Sequence, residues 1–334
     1  MRPALCIALG LSWATVLPAQ QPSLAGPVEA YTFDAPTRSL RAVIGFPGAA
    51  SFGPVLRDGL DFASIATYQN YGLGFQGGQC LLISGLGSSL ASTRVVNGVT
   101  AQPEGIAWSG DGSLAILYSR TGNWLQTISG FPGAPSAGPR IDGASLGGSL
   151  TAVAADAHGK LIAAGVSGQL SAVLQSSDGQ TFTKVGSVQD PIALTFAGDG
   201  LTLYVLDGST PQVVALSLSG GVQNIPLQGL ANPVAVQALT DSQNRQLLYV
   251  AAASDRMLRI LDAATGQLVN NVALSFEPTG LAQFGSNSFV AAARSEAAKP
   301  LWLFVAAPQP AAYFVPAVQL RPRDHRVVSV RSAR

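Results

Sequence analysis

Charged side chains are scarce in this chain. They make up 11% of its 334 residues, against about 25% in an average soluble domain. With so little surface charge, most strands or helices must be buried on both faces. Net charge is +1, which leaves no overall bias towards nucleic acid or an anionic membrane. Histidine is scarcer still: His158 falls in a turn and His325 near the end. A histidine metal cluster or a Ser-His-Asp triad therefore has almost no material. There is no P-loop and no CxxC pair, and the glycine-rich piece Gly72 to Gly78 lacks the following helix that a phosphate site needs. Sustained 3.6-residue periodicity is missing beyond the N-terminus, which excludes a helical fold.

Cysteine is limited to Cys6 and Cys80. Cys6 lies in what reads as a secretory leader, residues 1–19. Met1-Arg2 gives a short positive region and Ala4 to Leu17 an apolar run. Pro18-Ala19 then offers a small residue for cleavage. The run is short of the roughly 20 residues of a membrane span, so no stable span is expected after cleavage. The mature chain would be exported, to the periplasm, cell surface or medium. It would hold Cys80 as its one thiol and form no internal disulfide. Cys80 opens the run Cys80-Leu-Leu-Ile83 and reads as a buried small hydrophobe. A second apolar stretch, Pro300 to Val318, is interrupted by Pro308, Pro310 and Pro316. It reads as two strands joined by a proline-rich turn.

What the chain does have is a repeat. Ile65, Ile106, Val153, Leu194, Val236 and Leu281 are apolar anchors spaced 41 to 47 residues apart. Each follows a small residue: Ser64, Gly105, Ala152, Ala193, Ala235, Gly280. Pro103, Pro191, Pro233 and Pro278 stand three places ahead of four of them. Proline is tolerated at a strand's first residue, where it need not donate to the ladder. Turns such as Gly110-Asp-Gly112, Ala157-His-Gly159 and Gly198-Asp-Gly200 follow, then a second and third apolar run and a fourth, more polar one. Four short strands per unit of that length predict an all-β fold, a β-propeller of four-stranded blades. The small-apolar-small strand is expected innermost, where strands crowd round one axis.

Six anchors give six blades. Ahead of them lie Ala30 to Phe33 and Leu40 to Ile44, the expected outer strands of a seventh blade whose inner strand comes from Arg326-Val-Val-Ser-Val-Arg331. Seven blades is the preferred count and six, with an extra N-terminal hairpin, the alternative. The propeller would span 28–318 after a short linker at 20–27. The end, 319–334, would be a basic tail or a closing strand: from 321 on it carries five Arg against Asp324 alone. A second repeat overlies the first. Gly45-Phe-Pro-Gly-Ala-Ala-Ser-Phe-Gly-Pro54 recurs 85 residues later as Gly130-Phe-Pro-Gly-Ala-Pro-Ser-Ala-Gly-Pro139, eight of ten positions identical. It reads as an ordered loop leading to the next inner strand, either a shared connector or part of a binding rim.

Asp255-Arg-Met-Leu-Arg-Ile-Leu-Asp-Ala-Ala-Thr-Gly-Gln-Leu-Val269, with Pro278-Thr-Gly-Leu-Ala282 after it, resembles the YVTN-type repeat of secreted bacterial and archaeal propellers. That resemblance covers one and a half units. It implies a secreted seven-bladed propeller of surface or binding role, within a superfamily that also holds lactonase-like enzymes. Ser176-Ser-Asp-Gly-Gln-Thr-Phe182 is similar to a sialidase Asp-box, one residue short. Such boxes are structural hairpins.

The candidate site is the mouth where inner strands begin, entered by Glu104, Asp190, Asn232 and Glu277. Oxygen ligands converging there would suit Ca²⁺; as solvated turn residues they would hold nothing. Two functions stay open. One is an exported, monomeric, non-catalytic scaffold for a protein or carbohydrate ligand, without cofactor. The other is a carboxylate-dependent hydrolase of the lactonase or glycosidase kind, assisted by Ca²⁺.

Overall fold

The computed structural model describes residues 27–317, apart from 68, 89, 90, 170 and 286. The expected leader, residues 1–19, and the basic end lie outside them. Seven antiparallel sheets form a ring, a seven-bladed β-propeller. Blade 1 holds β1 (Val28–Asp34), β2 (Ser39–Ile44) and β3 (Ser51–Arg57). Blade 2 holds β4 (Phe62–Ile65), β5 (Tyr71–Gln76), β6 (Gln79–Ser84) and β7 (Ser92–Val95). Blade 3 holds β8 (Gly105–Trp108), β9 (Leu114–Ser119), β10 (Trp124–Ser129) and β11 (Ser136–Asp142). Blade 4 runs through β12 (Ser149–Ala155), β13 (Ile162–Ser167), β14 (Ala172–Ser176) and β15 (Thr183–Gly186). Blade 5 has β16 (Pro191–Phe196), β17 (Thr202–Asp207), β18 (Gln212–Ser217) and β19 (Val222–Pro226). Blade 6 has β20 (Pro233–Thr240), β21 (Gln246–Ala252), β22 (Met257–Asp262) and β23 (Leu268–Ala273). Blade 7 closes with β24 (Ala282–Gly285), β25 (Ser288–Ala292), β26 (Leu301–Val305) and β27 (Ala311–Val315).

Each blade is a meander, every strand pairing with the next in sequence. All six anchors lie on the first strand of their blade or, for Leu281, one residue ahead of it. The second strands are nearly continuous buried runs, as in Leu203 to Leu206 and Leu247 to Ala252, because neighbouring blades cover both faces. The fourth strands are mostly exposed, as in β7 and β23. Apolar side chains from adjacent blades interdigitate between the sheets. Leu206 and Val213 of blade 5, for instance, share a cluster with Val236 and Val250 of blade 6. Pro300 to Val318 does supply two strands, β26 and β27, joined across Pro308 and Pro310. Among the described residues no helix is long and apolar enough to cross a membrane.

The repeated Gly-Phe-Pro-Gly segments differ from expectation. They are not connectors between blades. Each is a hairpin inside a blade, and its second half is strand: β3 in one copy, β11 in the other. Both strands pair on one side only, which is why Pro54 and Pro139 are tolerated. Both make the same register shift against β2 and β10. Gly45 (φ +111°) and Gly130 (φ +88°) turn the chain at the start of each hairpin. A Cβ there would collide with the carbonyl oxygen of Ala49 or Ala134.

Candidate functional site

The first strands of blades 2 to 7 stand round the ring axis and leave a central cavity of about 510 Å³. Ile65, Ile106, Val153, Leu194 and Leu281 line it, with small neighbours such as Ala107, Ala154 and Ala282. In blade 6 the anchor Val236 turns into the seam with blade 5, and Gln237 faces the cavity instead. Its lining reaches Gly110, Ala157 and Gly198, just past the ends of the inner strands. The cavity therefore runs to the face on which those strands end.

No Asp, Glu, His, Lys or Arg is among the described residues lining it. The polar groups are neutral and mostly tied down. Trp108 Nε1 donates to Ser64 Oγ at 3.0 Å. Thr195 Oγ1 donates to Gln237 Oε1 at 3.2 Å, and Gln237 Nε2 donates to the Leu281 carbonyl at 3.0 Å. Burial pushes the Tyr118 phenol up, further from ionisation. Such a wall can hold a neutral group by hydrogen bonds and apolar contact. No carboxylate or imidazole is among its described lining residues.

Strand direction places the four sequence candidates at the other mouth. Glu104, Asp190, Asn232 and Glu277 precede their inner strands, and none lines the cavity. The Glu104 carboxylate is occupied in its own blade. It accepts from Ser119 Oγ at 2.8 Å and from the amides of Arg120 and Thr121 at 3.1 Å. Those bonds, led by Ser119, hold its carboxyl below the usual range. Asp190 joins the start of β16 to the end of β17: its carbonyl accepts from Gly208 N–H at 2.8 Å. Asn232 takes a left-handed backbone (φ +50°) and accepts from Ala253 N–H at 3.0 Å. Glu277 is exposed. Among the described residues no three His, Cys, Asp or Glu side chains gather where a metal ion could sit.

Most other acids staple hairpins. Asp178 Oδ1 accepts from Ser176 Oγ and from the amides of Gln180 and Thr181, all at 2.8 Å. Together they close the turn between β14 and β15. Asp241 and Asp262 do the same through the amides of Arg245 and Thr265. Backbone bonds, first from Thr181, Arg245 and Thr265 respectively, lower all three carboxyls. A depressed folded-state carboxyl stabilises above the ordinary carboxylate range and stops doing so as pH falls through its folded value. Melting temperature should thus hold between pH 7 and about 5 and fall below pH ~4. A Tm that stays flat down to pH 2 would contradict these roles.

Two nucleophile candidates are structural. Cys80 is buried at 3% exposure, and burial pushes its thiol up to about 12. A thiol reagent at pH 8 should label it only after denaturation. Stoichiometric labelling of the native protein would show that this strand opens. Gly143-Ala-Ser-Leu-Gly147 spells Gly-x-Ser-x-Gly, a pattern that sequence reading passed over. It forms a single 3₁₀ turn in which Ser145 Oγ donates to the Asp142 carbonyl at 2.6 Å, with no strand-to-helix elbow.

The face where the cavity opens carries features the sequence did not single out. A third strand runs parallel to the first, so both Gly-Phe-Pro-Gly hairpins lie on this face. Phe131 of the second copy folds inward. It stacks on Tyr71 at 5.9 Å and packs against Trp108 at 5.0 Å, sealing blades 2 and 3 together. Phe46, its equivalent, is 66% exposed. Leu201, in the turn that follows inner strand β16, is 65% exposed on the same side.

No family model matches the chain, and no curated protein does. Solved structures do. Dihydro-heme d1 dehydrogenase NirN in complex with DHE aligns at TM-score 0.56 and 13% identity, over 92% of this chain and 67% of that one. Kuenenia stuttgartiensis hydrazine synthase aligns at TM-score 0.53 and 13% identity, over 92% and 99%. Kluyvelomyces marxianus Hsv2 aligns at TM-score 0.54 and 12% identity, over 84% and 93%. At these identities the likeness establishes a shared fold, the β-propeller, and nothing of the chemistry.

Proposed function

We propose that this chain is an exported, non-catalytic propeller that binds a neutral protein or carbohydrate segment across the face where the central cavity opens. The observation that carries this reading is the uncharged wall of the cavity. Among the described residues, no carboxylate or imidazole lines the cavity to serve hydrolysis. Phe46 and Leu201 add exposed apolar contact on the same face. The leader and the resemblance to secreted YVTN-type propellers support export.

The test is a thermal-shift screen of the exported chain against neutral oligosaccharides, uncharged peptides, lactones and Ca²⁺. A ligand at about 100 times its Kd should stabilise by about 2.7 kcal/mol. Phe46→Ser and Gln237→Leu should each weaken that shift at least tenfold in apparent Kd, while the fold stays intact. Turnover of a lactone, glycoside or ester that a channel substitution abolishes would overturn the reading in favour of a hydrolase.

A further inference from the structure

Blade 1 is one strand short, and the missing strand is the inner one. Shifted by 85 residues, β2 and β3 fall on β10 and β11 residue for residue, and β1 falls on β9. β9 is the second strand of its blade, paired on its inner side with β8. β1 has no such partner among the described residues: it is the edge of a three-stranded sheet. Where β9 is almost wholly buried, β1 from Val28 to Phe33 is exposed or half-buried. A slot of about 670 Å³ runs along this open edge, between β1, β4 and β24. Glu29 lines it, and its Oε2 is buried without a hydrogen-bond partner. Burial pushes that carboxyl up.

We propose that Arg326-Val-Val-Ser-Val-Arg331 fills this slot as the inner strand of blade 1, pairing antiparallel with β1 and joining the two ends of the chain. The proposal is independent of what the propeller binds. The connection works as in the other blades. Each fourth strand leads along one face to the next inner strand, through segments from 187–190 to 96–104. After β27 ends at Val315, 316–325 would make the same crossing at about 3.3 Å per residue. The four residues Val327 to Val330 match β4, β8 and β24 in length. Carrying over the blade 3 register, in which Ile106 opposes Leu117, sets Val328 opposite Thr32. Val328 is then the seventh apolar anchor, with small Ser329 after it. In that register Arg331 faces Glu29, and Arg326 faces Asp34. The segment that the 85-residue shift would place there instead, Gln20-Gln-Pro-Ser23, is polar and has an internal proline.

Two experiments test this, the first on the full exported chain. A benzoyl-phenylalanine photo-crosslinker replaces Val328, and the products are mapped by mass spectrometry. Crosslinks within one chain to 28–33, 62–65 or 282–285 are expected. Crosslinks only between chains, crosslinks to other surfaces, or none would overturn the proposal. Truncation after Ala317 should lower Tm by more than 5 °C, and a peptide of residues 324–334 should restore at least half of the loss. Unchanged Tm on truncation would also overturn it. If the truncated chain fails to fold, the crosslink map decides alone.

Discussion

Arg294→Ala should cost about 3–5 kcal/mol, the range for breaking a buried ion pair by removing one partner. Arg294 and Asp34 are 4% and 1% exposed. Arg294 Nη1 donates to Asp34 Oδ1 at 2.6 Å across 260 residues of sequence. The rest of the guanidinium is used as well. Nε donates to the Lys299 carbonyl at 2.8 Å and Nη2 to the Ala297 carbonyl at 2.5 Å. The guanidinium also lies over Phe52, 5.2 Å from its ring centre. Asp34 Oδ2 accepts from Thr37 Oγ1 at 2.6 Å and faces Arg41 at 3.6 Å. The cluster ties the end of β1 to the loop between β25 and β26, so it clamps blade 1 to blade 7. Removing the guanidinium leaves a buried carboxylate and two carbonyls without their donor. With an unfolding entropy of about 2.1 cal/mol/K per residue, the loss corresponds to a Tm fall of roughly 5–8 °C in a domain this large. The double variant Arg294→Ala, Asp34→Ala should recover part of it, because the buried carboxylate is then gone and Arg41 keeps its bonds to Ser39 Oγ and the Gly53 carbonyl. A single-variant loss under about 1 kcal/mol by urea melting would mean that water or Arg41 takes over.

That clamp was invisible in the sequence. Nothing local marks Arg294, because its partner is a short acid 260 residues away. The inner strands were legible for the opposite reason. Crowding at the axis is a local demand on side-chain size, repeated six times, and Ile65 to Leu281 carry it openly. β3 and β11 were missed because edge strands bury little. Their Gly-Pro composition hides the strand under a turn signal. The mouth residues show a third limit. Whether an acid ahead of an inner strand faces the channel or the next hairpin depends on tertiary geometry. Glu104 spends its carboxylate on the turn at Ser119 to Thr121. The face that does open the cavity follows from strand parity, which becomes readable only once the order of strands within each blade is known.

Besides ion pairs and hydrogen bonds between blades, the described seams are filled by apolar side chains. Phe304→Ala is expected to be as damaging as loss of Arg294, at about 3–5 kcal/mol. Phe304 is fully buried on β26. Its ring centre lies 6.0 Å from that of Tyr249 on β21, with Phe289 of β25 also 6.1 Å from Tyr249. The three rings fill the seam between blades 6 and 7 together with Leu247 and Leu258. Two rigid sheets flank the void, so collapse into it is limited and the cavity cost adds to the lost transfer energy. Phe314, 53% exposed at the outer edge of the same blade and edge-on to Trp302 at 5.6 Å, is the internal control, since its truncation should cost about 1 kcal/mol or less. Phe46→Ser should likewise leave stability unchanged while weakening ligand binding. Urea melts of the three variants separate seam from surface. Comparable losses for Phe304→Ala and Phe314→Ala would show that blade 7 moves as a soft flap rather than as a packed member of the ring.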